Sequence, residues 1–185
     1  MKNPQFIIIL SIFLTLSICK PLFADPLKPG TTAPALTLKD QDGNDVNLAD
    51  EYQKGILLLY FYPKADTPGC TAQACSLRDS FPNLKIYGLR IIGVSSDKPR
   101  ALKKFQQKHK IPFPLLSDPD GALANQFGVP FHFGFHKRTS FLIKDGIIQW
   151  TNLNPKTSNH SKEVLEALDS IKITPPHSQL TFPSN

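Results

Sequence analysis

Cys70 and Cys75, five residues apart, are the side chains of this 185-residue sequence most able to do chemistry. The third cysteine, Cys19, sits at the end of an apolar amino-terminal run, so a processed chain would keep only the pair. Two cysteines are few for a disulfide framework, and so short a loop would restrict the unfolded chain too little to stabilise a whole domain. The pair therefore points to thiol chemistry. Pro68 suits a first helical turn, and TAQACSLRDSF continues through helix-tolerant residues up to Pro82, which places Cys70 near a helix N-terminus. Unpaired backbone N–H groups and the helix dipole favour a thiolate there, and the thiolate is the nucleophile.

The elements that must position such a pair are legible in the apolar pattern. GILLLYFYP, Gly55 to Pro63, is a continuous β-prone run and reads as a strand buried on both faces, ending just before the cysteine segment. Leu89 to Ser95 reads as a second buried strand, Pro99 to His109 as a helix, Pro114 to Ser117 as a short strand and Gly121 to Phe127 as a short helix. Upstream, Thr32 to Leu38 is extended and turns through Lys39 to Asp45 into Val46-Asn47-Leu48, a hairpin. Downstream, Thr139 to Ile143 and Ile147 to Thr151 form another hairpin about Lys144-Asp145-Gly146. Ser161 to Ile171 reads as a closing helix with Val164, Leu165, Leu168 and Ile171 on one face. This order implies an α/β fold, a central mixed β-sheet flanked by helices with an N-terminal β-hairpin extension.

The length, with 41% hydrophobic and 19% charged residues, suits one buried domain, expected over residues 25–173. The uncharged run Phe6 to Ile18 is shorter than the ~20 residues a spanning helix needs and fits a signal peptide. Ala24 before Asp25 supplies a cleavage site, so residues 1–24 are expected to leave and the protein to be exported, to a periplasm. Retention as an uncleaved membrane anchor and lipid attachment at Cys19 are the alternatives. The proline-bearing tail, residues 174–185, is expected to be mobile. Loss of Lys2 and Lys20 lowers the formal charge from +6 to +4. The lysines between Lys103 and Lys110 read as a solvated helix face, and no nucleic-acid partner is expected.

The segment LYFYPKADTPGCTAQACSLRD, Leu59 to Asp79, resembles the active-site region of peroxiredoxins, in particular the bacterioferritin-comigratory or Q-type branch. Pro63, Thr67 and Cys70 match the pattern Pro-x-x-x-Thr-x-x-Cys. APALTLKDQDGNDVNL upstream and Lys137-Arg138-Thr139-Ser140-Phe141-Leu142-Ile143 downstream extend the resemblance over nearly all of the mature domain. It implies a thioredoxin-like fold and a thiol peroxidase without metal or cofactor. Cys70 would be the peroxidatic nucleophile and Cys75 the resolving thiol. Thr67 would hydrogen-bond the peroxide, Arg138 would favour thiolate and steady the polarised O–O bond, and Pro63 would exclude water. Arg78, about 12 Å further along the same helix, is left as a structural or ion-paired residue.

An intact helix would separate the Cα atoms of Cys70 and Cys75 by about 8.6 Å, whereas a disulfide needs less than roughly 7 Å. A Cys70 sulfenic acid could therefore meet Cys75 only after the first helical turns open. The implied partners are a hydroperoxide and a thioredoxin-like dithiol, periplasmic if the chain is exported. A resolver on the same helix removes the need for an intersubunit bond, so a monomer is expected. Competing readings are a copper carrier of thioredoxin-like fold, a disulfide-exchange protein and a purely structural disulfide. The Cys-x-x-Cys spacing that exchange favours is absent. His132 and His136, in FHFGFH, read as loop residues rather than metal ligands.

Overall fold

A computed structural model of the protein describes residues 25–175. The expected signal peptide, residues 1–24, and the expected tail beyond residue 175 lie outside them.

In chain order the strands are β1 (Thr37–Asp40), β2 (Asp45–Asn47), β3 (Leu57–Phe61), β4 (Arg90–Ser95), β5 (Leu115–Ser117), β6 (Phe131–His132), β7 (Phe135–His136), β8 (Thr139–Lys144) and β9 (Ile147–Asn152). The helices are α1 (Leu48–Tyr52), α2 (Pro68–Asp79), α3 (Phe81–Ile86), α4 (Pro99–His109), α5 (Ala122–Gln126) and α6 (His160–Ser170), the last preceded by a 3-10 turn, Thr157–Asn159. Seven strands make one sheet in the order β2-β1-β5-β4-β3-β8-β9. The pairs β3/β4 and β4/β5 are parallel, and the pairs β1/β2, β1/β5, β3/β8 and β8/β9 are antiparallel. The sheet is mixed and central, as expected.

β3 lies inside the sheet, between β4 and β8, and every residue of it is buried. Its alternate side chains enter two cores. Leu58, Tyr60 and Tyr62 pack with Cys70, Ala74 and Leu77 of α2, Leu102 and Phe105 of α4, and Val164 and Leu168 of α6. Leu57, Leu59 and Phe61 pack on the other face with Leu48 and Tyr52 of α1, Leu123 and Ala124 of α5, and Phe127 and Phe141. A fully buried leucine contributes about 1.5–3 kcal/mol, which is why β3 is the most constrained element and a firm base for the segment that leaves its end. The antiparallel register pairs Phe61 with Thr139. The exit of β3 toward Pro63 and the entry to β8 at Arg138 therefore lie side by side.

Four local expectations change. Leu48 opens α1 rather than ending a strand, because the Asn47 side chain accepts the Ala49 N–H at 3.0 Å and caps a helix there. The first strand begins at Thr37, with Thr32 making only an isolated bridge to Ile147. Pro82 does not end helical structure: it sits in the first turn of α3, where a missing N–H costs nothing, and Ser80 serves as cap between α2 and α3. FHFGFH is a small hairpin, β6–β7, rather than a loop. Its turn residues Phe133 and Gly134 both have positive φ, 52° and 79°, as a primed hairpin turn requires.

Candidate active site

The site is assembled where β3, α2 and β8 meet. After Tyr62 the chain passes Pro63 and is pinned by a hydrogen bond from the Ala65 N–H to Asp97 Oδ2 at 2.7 Å. Asp66 turns it at φ 60° and binds Lys108 Nζ at 2.8 Å and His109 Nε2 at 2.9 Å, both at the end of α4. The His109 ring first, and Lys108 second, hold the Asp66 carboxyl below the usual carboxylate range.

Thr67 then takes the N-cap position in extended conformation, with Pro68 in the first turn. Its hydroxyl does not cap the helix. It donates instead to the Lys64 carbonyl at 2.9 Å, while its own carbonyl accepts the Thr71 N–H at 2.8 Å. The N–H groups of Gly69 and Cys70 precede the first intrahelical bond, so the helix itself offers them no acceptor. The Cys70 thiol, 2% exposed, lies in this donor-rich turn.

Arg138 comes to it from the entry of β8. One guanidinium nitrogen, Nη2, donates to Cys70 Sγ at 3.3 Å, and the other, Nη1, donates to Gln73 Oε1. The planar guanidinium thus spans two residues one helical turn apart. It lies over the start of α2 closely enough that a side-chain carbon on Gly69 would stand 3.5 Å from Nη2. Behind it a chain of buried polar groups continues: Gln73 Nε2 lies 3.0 Å from His160 Nδ1, and His160 Nε2 lies 3.0 Å from Ser140 Oγ. Burial, aided by the Arg138 charge, pushes the His160 ring down to about 3, so it is neutral at pH 7.

Residues 29–151 match the AhpC/TSA family. Peroxiredoxin Bcp of Escherichia coli strain K12 is 48% identical over 153 residues, covering 78% of this chain and 97% of that protein. The chain belongs to the peroxiredoxin family, in its bacterioferritin-comigratory or Q-type branch. Among solved structures, Mycobacterium tuberculosis peroxidoxin BcpB superposes with a TM-score of 0.74 at 34% identity, over 79% of this chain and 99% of that one. The Xanthomonas campestris bacterioferritin comigratory protein, described with an alkyl peroxide reduction activity, gives 0.67 at 31% identity, over 73% and 90% of the two chains. The fold is thioredoxin-like, and this peroxiredoxin is a thiol peroxidase, an oxidoreductase.

In this peroxiredoxin, Cys70 and Arg138 are in direct contact and Thr67 is the N-cap of the Cys70 helix, while Pro63 stands four residues before Thr67 in the segment that leaves β3. Cys75 is half-buried further along the unbroken α2, and both cysteines are free thiols. Arg78 is ion-paired, its Nη2 lying 2.8 Å from Asp79 Oδ1, and its Nη1 donates to the His109 carbonyl at 2.6 Å. Asp79 chiefly, with a smaller contribution from the Cys75 thiol beside it, raises the Arg78 ionisation above the usual range. His132 is exposed, whereas His136 is buried with Nε2 3.3 Å from Asp118 Oδ2. Among the described residues no cluster of three or more His, Cys, Asp or Glu side chains could hold a metal.

Gln73, His160 and Ser140 escaped the reading of the sequence. Gln73 carried a usable signal, since the third residue after Cys70 lies on the same helix face. His160 carried none, being 87 residues from Gln73 in the chain.

Proposed function

We propose that the enzyme reduces hydrogen peroxide and organic hydroperoxides through Cys70, with Cys75 as resolving thiol and a thioredoxin-like dithiol as electron donor. The observation that supports this most is the Arg138 Nη2 contact with Cys70 Sγ, 3.3 Å, at the donor-rich start of α2. The Cys70 thiolate attacks the nearer peroxide oxygen, the O–O bond breaks, and the departing alkoxide or hydroxide takes up a proton. Cys70 is then a sulfenic acid. Arg138 favours the thiolate and the charge moving onto the departing oxygen. The Thr67 hydroxyl, now spent on the Lys64 carbonyl, is the group that would turn to the peroxide. Pro63 shields the thiolate from water.

Condensation of the Cys75 thiol with the sulfenic acid forms the disulfide and releases water. The unbroken α2 keeps the two residues too far apart for that bond, so its first turns must open. Opening requires release of the Arg138 contact and of the Asp66 tether to α4. The donor dithiol then reduces the disulfide and is itself oxidised. The amino-terminal segment supports export to a periplasm, where the donor would be a periplasmic thiol carrier, and the monomer is the state in which this cycle is complete.

Steady-state consumption of hydrogen peroxide and cumene hydroperoxide by residues 25–185, with a dithiol as donor, tests the reading. The wild type should turn over and Cys70→Ser should not; turnover by Cys70→Ser would refute it. Cell fractionation tests the location, and recovery in the cytoplasm would refute export.

A further inference from the structure

Arg138 must keep one nitrogen on Cys70, yet a guanidinium on a residue at a strand entry has several rotamers that would carry it away. What holds it lies one layer deeper. Cys70 and Gln73 share one face of α2, one turn apart, and Arg138, just before β8, and Ser140, within it, lie two residues apart on one side of the strand. Cys70 and Arg138 make the outer contact between these elements. His160, the first residue of α6, makes the inner one, with a ring nitrogen 3.0 Å from each of Gln73 and Ser140. It sets the spacing of the same two elements that carry the reacting thiol and its cation.

The directions of these hydrogen bonds are forced. Arginine has only donors, so the Gln73 carbonyl must face Arg138 and the Gln73 amide must face His160. An amide nitrogen only donates, so His160 Nδ1 must accept and the ring proton must sit on Nε2, from which it reaches Ser140 Oγ. The amide of Gln73 is thus locked between a partner that accepts nothing and a partner that, at this nitrogen, donates nothing. Every member is buried except Arg138, which is half-buried, so a reversed amide would leave two donors facing each other without water to relieve them.

We propose that His160 is a positioning residue for peroxide reduction: as the neutral Nε2–H form it fixes the Gln73 carbonyl on Arg138 and so holds the other guanidinium nitrogen against Cys70. This rests on the reading that Cys70 is the nucleophile. Packing alone does not explain a histidine here. The ring meets Tyr60 edge-on at 5.9 Å, a contact phenylalanine would keep.

The comparison is His160→Phe, which keeps the ring and removes the acceptor, against His160→Asn, whose amide oxygen can stand where Nδ1 stands. Both are made in a Cys75→Ser background so that only Cys70 reacts. Besides Cys70, the titratable groups facing this site are Arg138 at the entry of β8, Cys75 of α2, which this background replaces, Tyr60 of β3 and Tyr62 just past its end, whose phenols burial pushes well above their ordinary range, with Asp97 beyond Tyr62. Stopped-flow oxidation by hydrogen peroxide and alkylation by iodoacetamide are each followed from pH 4 to 9. His160→Phe should slow peroxide oxidation about tenfold to a hundredfold and move the acid limb of both profiles to higher pH. His160→Asn should recover most of the rate. Equal rates and unmoved limbs in folded His160→Phe, or equal impairment in both variants, would overturn the proposal. Nitrogen-15 NMR of the unmutated protein decides independently of folding: an Nε2–H imidazole at pH 7 supports it, and an Nδ1–H or doubly protonated ring overturns it. If the parent protein ignores peroxide, the nucleophile reading fails by itself, while alkylation and NMR still judge His160.

Discussion

Cys70 and Cys75 are the same residue type on the same helix, yet their surroundings are built to opposite ends. Cys70 is buried in the first turn, faces N–H groups the helix leaves unpaired, and is touched by an arginine held in place by a chain of buried polar groups. Cys75 is half-buried in the body of the helix, where backbone donors are spent, and its nearby cation, Arg78, is already engaged by Asp79 and by the His109 carbonyl. In the proposed cycle the first thiol attacks and the second travels to it, and the two surroundings suit those roles. The two cations differ in what else holds them: Arg138 is held by the neutral amide of Gln73, so its charge is left for the sulfur, whereas Arg78 shares its charge with the Asp79 carboxylate.

The comparison breaks most visibly if Arg138 is altered. Arg138→Met should slow peroxide oxidation of Cys70 by about a hundredfold to a thousandfold and leave alkylation of Cys75 unchanged, as stopped-flow and competitive alkylation would report. Arg138→Lys should recover little, since an ammonium cannot span Cys70 and Gln73 in the planar geometry of a guanidinium. Thr67→Val is expected to cost about tenfold to a hundredfold in peroxide oxidation, with Thr67→Ser nearly neutral because the hydroxyl is kept.

Stability sharpens the same contrast, because only the Cys70 side rests on a buried neutral histidine. The unfolded chain takes up a proton on His160 near its ordinary 6.5, whereas the folded chain refuses it down to about 3. Folding stability is therefore fullest above about pH 6.5 and falls as pH drops toward about 3, by as much as ~1.4 kcal/mol per pH unit. Urea unfolding at pH 7, 5 and 4 should show this slope in the wild type and a shallower one in His160→Asn. The smallest effect belongs to the Cys75 side. Arg78→Met should change the rate of Cys70–Cys75 disulfide formation by less than about fivefold, since an exposed ion pair is worth at most about 1 kcal/mol.

How far the sequence revealed this depends on how local each determinant is. The β3 run, the Pro68 start of α2 and the turn at Lys144-Asp145-Gly146 act over a few residues, and all three appear where the pattern placed them. Helix α1 was hidden because one side-chain bond from Asn47 converts a strand end into a helix start. Helix α3 was hidden because Pro82 breaks a helix that precedes it and suits one that it begins. Arg138 could be singled out through the resemblance of RTSFLI to a family pattern. Gln73 was within reach through its i+3 spacing from Cys70, but His160 and Ser140 were not, since their meeting depends on how α2, α6 and β8 pack, and no short-range signal in the chain encodes that.

The proposed cycle turns on oxygen arriving at Cys70 and on Cys75 resolving it. One equivalent of hydrogen peroxide added to reduced wild type and to Cys75→Ser, followed by peptide mass spectrometry, tests it directly. A Cys70–Cys75 disulfide is expected in the wild type, and a single oxygen on Cys70, trappable by dimedone, in Cys75→Ser. Oxygen on Cys75 in the wild type, or an unmodified Cys70 in both proteins, would contradict it.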